Sequence, residues 1–171
     1  MSLHPLCGIT YAEFLNSANA APVRTLSRTS RPEADERAWK GRLPVEEFLA
    51  HPVYPVWYVT PDAATQAAYN SPDARRVLFS AAIKRDDFTT RFVSPPPDGT
   101  PLTAVPILAL ECTRCGHVAV LDGNHRLAYL ALNSPQASVD LIVLSGSRWP
   151  RETPDMAVIC ACLRPESART A

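Results

Sequence analysis

The sequence predicts an α+β domain, a small mixed sheet with helices, preceded by an extra N-terminal helical segment. Three observations carry that expectation. Val105–Leu110 and His117–Leu121 are apolar runs of strand length on either side of Cys112-Thr-Arg-Cys-Gly116, which reads as a hairpin. Asp122-Gly123 then turns the chain into Leu127–Leu132, apolar enough for a well-buried helix from about Asn124 to Asn133. Val139–Leu144 follows as a third strand, and Met156–Leu163 reads as a fourth.

Before this core the elements are shorter. Tyr11–Leu15 is a short helix with Thr10 as its N-cap. Residues 25–37 are polar and lack periodicity, so they read as a surface loop. Leu43–Ala50 is a short helix with Pro44 at its first position and Pro52 beyond its end. Val53–Val59 is rich in β-formers, but Pro55 has no N–H to donate, so it belongs on a sheet edge. Thr60-Pro61-Asp62 and Ser71-Pro72-Asp73 each combine an N-cap, a first-turn proline and an acid, the signature of a helix start. The second helix is expected to reach Ile83 or Lys84 with Val77, Leu78, Ala81 and Ala82 on its apolar face. The proline-rich loop at 94–101 divides a mainly helical part, residues 1–93, from the sheet core, residues 94–171, within one domain.

Composition narrows the function. A chain of 171 residues can bury a core of its own without metal or disulfide. Seventeen basic and seventeen acidic residues cancel, which counts against a nucleic-acid partner, since such affinity depends on Lys and Arg contacts. No apolar run is long enough to cross a bilayer, and no secretory signal opens the chain. Five cysteines at irregular spacing do not form a disulfide framework, and the expected compartment is the cytoplasm.

The densest chemistry lies between the second strand and the helix of the core. Asp122, Asn124, His125 and Arg126 place an acid, an amide, an imidazole and a guanidinium around Gly123. The start of a helix presents free N–H groups and the positive end of the dipole, so cations there are unfavourable unless an anion joins them. Gly123, lacking a Cβ, lets backbone approach a phosphate, and Arg126 offers it a bidentate fork. Asn124 can cap the helix or donate to the phosphate, and His125 can donate or act as acid–base. Asp122 can hold Mg²⁺ or serve as general base. The bland alternative is that these groups only cap the helix and pair with nearby acids.

The pattern Gly123-Asn-His-Arg-Leu-Ala128, preceded by Asp122 and set between hairpin and strand, resembles the ParB/sulfiredoxin superfamily. It is closest to the Asp-Gly-x-His-Arg form of ParB-like proteins and of that superfamily's free-serine kinases. The likeness covers about Val105 to Leu144. It implies a small α+β fold whose corner grips nucleotide phosphates, with Mg²⁺ and ATP or ADP as cofactors. Sulfiredoxins carry a cysteine where this chain has Asn124, and an amide cannot be an attacking thiolate, so sulfinic-acid repair is disfavoured. No room for a helix-turn-helix follows Leu163, which disfavours partitioning.

Cys112-x-x-Cys115-Gly116 also has the turn shape of a zinc knuckle, and Cys160-x-Cys162 is a second pair with unusual ligand spacing. Inert hairpin and core cysteines are the favoured reading, so zinc is not expected. The leading expectation is phosphoryl transfer or phosphate-ester hydrolysis, with Asp122 and His125 catalytic and Gly123, Asn124, His125 and Arg126 holding the nucleotide. A second substrate is implied but unidentified. The rivals are a ParB-like nuclease and a non-enzymatic effector or toxin–immunity component.

Overall fold

A computed structural model describes residues 7–20, 36–55, 78–85 and 102–146. They form a mixed α+β fold around one six-stranded sheet. In chain order the strands are β1 (Cys7–Ile9), β2 (Arg37–Pro44), β3 (Val53–Pro55), β4 (Ile107–Cys112), β5 (Val118–Asp122) and β6 (Ser138–Gly146). The helices are α1 (Tyr11–Ala20), α2 (Val45–Leu49), α3 (Phe79–Ala82) and α4 (Asn124–Asn133). The sheet order is β1-β2-β6-β4-β5-β3. The β6–β4 and β5–β3 pairs are parallel, and the other three are antiparallel.

The inner strands are buried on both faces, which is why they read as continuous apolar runs rather than alternating ones. Along β6, Val139, Leu141 and Val143 enter one core cluster, while Ile142 and Leu144 enter the other. β5 divides in the same way, Val118 and Val120 against Ala119 and Leu121. The first cluster gathers Phe48 of α2, Phe79 of α3 and Leu127, Ala128 and Leu130 of α4. The second is sealed by Phe14 of α1, which is fully buried. Helices therefore sit on both sides of the sheet.

Thr10 caps α1 as expected, and the cap is reciprocal. The Glu13 amide donates to Thr10 Oγ1 at 3.2 Å, while the Thr10 amide and hydroxyl each donate to Glu13 Oε2 at 2.8 Å. These bonds favour the ionised acid and hold the Glu13 carboxyl below 4.5. α2 begins one residue later than expected, because Pro44 ends β2 and stands as the N-cap. Its first donors are met by main chain: Val45 N–H bonds Ala137 carbonyl and Glu46 N–H bonds Pro135 carbonyl, both at 3.0 Å.

Several expectations need correction. The N-terminal part is not an appended helical segment, since β1, β2 and β3 all join the sheet and β2 pairs along its whole length with β6. β2 has little apolar signal in the sequence, because Arg-Ala-Trp-Lys-Gly-Arg-Leu-Pro buries only Ala38 and Leu43 fully and carries charge or glycine at four positions. A helix entering at Ser71 does not run unbroken to Ile83, because Leu78 is extended (φ −57°, ψ 144°) and α3 starts afresh at Phe79. Phe79 and Ala82 form its buried face, with Leu78 and Ala81 exposed. Pro55 does lie on an edge strand, as its missing donor requires. The helix start at Thr60, the loop at 94–101, the strand at 156–163 and Cys160 and Cys162 lie outside the described residues. No helix among the described residues is long and apolar enough to cross a membrane.

Candidate functional site at the start of helix α4

The corner between β5 and α4 is built by Gly123. Its φ of 93° lies in the left-handed region, which side-chain-bearing residues avoid. A Cβ at this position would lie 2.4 Å from Ile107 Cδ1 and 3.0 Å from Arg126 Nη2. Glycine is thus required by the turn and by close packing against β4. The first intrahelical bond runs from the Leu127 amide to the Gly123 carbonyl at 2.8 Å.

The N-cap residue Gly123 has no side chain with which to cap α4, and no acid stands in the first turn. Among the described residues the main-chain N–H groups of Asn124 and Arg126 meet no main-chain acceptor, in contrast to the carbonyl-capped start of α2. The Asn124 side chain turns inward instead of capping. Its Nδ2 donates to the Val120 carbonyl at 3.0 Å, and its buried Oδ1 has no partner. The amide orientation follows from that bond.

Arg126 reaches back across the corner. Nη2 donates to Asp122 Oδ2 at 3.0 Å, an i,i+4 pair, and to the Pro106 carbonyl at 3.1 Å. Nη1 donates to the Val105 carbonyl. The guanidinium so ties the segment entering β4 to the end of β5. Asp122 and Arg126 retain 23% and 21% side-chain exposure, so the pair sits at the surface within reach of solutes.

His125 stands in the exposed first turn, yet its ring is partly desolvated. That desolvation lowers its pKa below 6.5, and the nearby Asp122 carboxylate opposes the shift. The neutral imidazole therefore prevails at pH 7. Because the folded value is the depressed one, protonation favours the unfolded chain. The stability His125 contributes is present above about pH 6.5 and is lost as pH falls through the folded pKa. An anion at the corner would raise that pKa. Phosphate affinity is expected to increase as pH drops below 6.5 and to lose this dependence in His125→Ala, as calorimetry across pH 5.5–8 would show.

The residues singled out in the sequence thus meet at one corner: Asp122, Gly123, Asn124, His125 and Arg126 are all within or beside the first turn of α4. Among the described residues Asp122 is the carboxylate at this corner that could hold a cation. Magnesium commonly uses one or two carboxylates plus substrate phosphates, so this donor set fits a metal delivered with nucleotide. Cys112 ends β4 in the core and Cys115 sits half-buried in the turn. Among the described residues no three His, Cys, Asp or Glu side chains come together to hold a metal. The carbonyls of Val105 and Pro106 were not foreseeable as part of the corner, though the i,i+4 spacing of Asp122 and Arg126 was a legible signal for their ion pair. No protein-family model, curated protein or solved structure matches the chain.

Proposed function

We propose that this chain is a ParB/sulfiredoxin-like protein that binds a nucleotide phosphate at the start of α4 and transfers or hydrolyses a phosphoryl group. The observation that carries the reading is the glycine-capped start of α4, which bears His125 and Arg126 and no first-turn acid. The Arg126 cation opposes the helix dipole there at a cost of a few tenths of a kcal/mol or more without a bound anion, while His125 stays neutral until an anion favours its protonation. A phosphate reverses that sign and supplies acceptors to the Asn124 and Arg126 amides.

Roles follow from the geometry. The first-turn N–H groups and Arg126 bind phosphate oxygens, and Gly123 holds the main chain in the turn that presents them. His125, neutral at pH 7, accepts or returns a proton. Asp122 would hold Mg²⁺, which neutralises charge on the transferring phosphoryl group. Any second substrate is defined here only as the acceptor of that group.

ATP binding by calorimetry, followed by a Mg²⁺-dependent turnover assay, tests the proposal. Measurable affinity that weakens in His125→Ala, with release of ADP or phosphate, is expected. Absence of binding to ATP, ADP and pyrophosphate would sink it, and nicking of plasmid DNA would redirect the same corner to a nuclease role.

A further inference from the structure

The guanidinium that a phosphate would recruit is already engaged. Its three hydrogen bonds go to Asp122 Oδ2 and to the carbonyls of Val105 and Pro106. Among the described residues, Leu102–Pro106 makes no backbone–backbone hydrogen bond to the rest of the fold. Arg126 is therefore the polar tie that holds this segment, from which β4 enters the centre of the sheet. The Asp122 contact is to a single carboxylate oxygen at a partly exposed site, the kind of ion pair that is weak and readily exchanged. A phosphate offers the guanidinium two oxygens at once, the stronger arrangement.

We infer that Asp122 and the Leu102–Pro106 segment form an internal latch that competes with the anion for Arg126. The inference rests on the phosphate reading of the corner. Phosphate draws the guanidinium away from Asp122, which frees that carboxylate for a cation or a proton and releases the Val105 carbonyl. Asp122 thus opposes anion binding before it can assist chemistry. Occupancy of the corner also loosens the entry to β4, so the site and its neighbouring segment change together.

The distinguishing variant is Asp122→Asn, which removes the charge, keeps the shape and retains an oxygen acceptor for Arg126. Sodium pyrophosphate, free of divalent metal, is titrated into the wild-type protein and the variant by calorimetry. Hydrogen–deuterium exchange at Ile107–Leu110, the sheet-bonded start of β4, is followed in the wild type with and without pyrophosphate. Loss of an opposing unit charge at a partly exposed site should tighten binding roughly three- to tenfold. Exchange at Ile107–Leu110 should quicken when pyrophosphate is bound, because the latch that holds the entry to β4 is released. If the wild type binds but Asp122→Asn is no tighter, or exchange at Ile107–Leu110 is unchanged, the latch is wrong and the phosphate reading stands. If neither protein binds, both fall. Should the variant fail to fold by circular dichroism, the exchange measurement on the wild type decides alone.

Discussion

Replacing Gly123 by alanine is expected to destabilise the protein by about 2–5 kcal/mol. The backbone there has φ 93°, which costs a side-chain-bearing residue about 1–2 kcal/mol. The new methyl would also press on Ile107 Cδ1 from 2.4 Å. Ile107 is fully buried at the start of β4, so it has little room to yield, and overpacking of this kind costs about 1–3 kcal/mol. Denaturant unfolding would show a lower midpoint with an unchanged slope. A change of a few tenths of a kcal/mol would mean that the corner relaxes freely and does not need glycine.

Arg126→Ala carries the second large effect and acts on stability and binding together. It strands the Asp122 carboxylate and the carbonyls of Val105 and Pro106 without their donor. Asp122 and Val105 can recover water, so the loss is expected at about 1–3 kcal/mol rather than the sum of three bonds. Nucleotide affinity should fall at least tenfold, because a charge-assisted phosphate contact is removed. Arg126→Lys separates the two roles. It restores the charge but not the fork, so binding should recover in part while the tie to Val105 and Pro106 does not. Thermal melting and calorimetry on both variants read this out; unchanged nucleotide affinity in Arg126→Ala would leave the residue a purely structural one.

Both variants converge on the stretch that was most legible from sequence alone. β4, β5, α4 and β6 were readable because their strands are buried on both faces and the Asp122-Gly123 turn separates two clear periodicities. The start and end of α4 agree with expectation at Asn124 and Asn133. β2 was hidden by the opposite cause. Arg37, Lys40 and Arg42 are exposed around buried Ala38 and Leu43, so the strand shows little apolar signal. α1 was foreseen only to Leu15, because Asn16-Ser-Ala-Asn-Ala20 lacks the apolar repeat that marks a buried face.

The corner shows the same division. That five chemically useful residues cluster at a helix start follows from local sequence. That Arg126 spends three donors on Asp122, Val105 and Pro106, and that Asn124 turns toward Val120 rather than capping, depends on how β4 and β5 lie beside the helix. Part of the bland alternative is therefore present: Arg126 does pair with a nearby acid. What that alternative does not account for is the helix start itself, where the Asn124 and Arg126 amides have no main-chain acceptor among the described residues.

The most direct test is a crystal grown with ATP and Mg²⁺. The account predicts a phosphoryl group in hydrogen-bond contact with the first-turn amides of α4 and with Arg126, and a metal ion beside Asp122. Nucleotide bound elsewhere, or a corner that keeps Arg126 on Asp122 with no phosphate at saturating ATP, would contradict it.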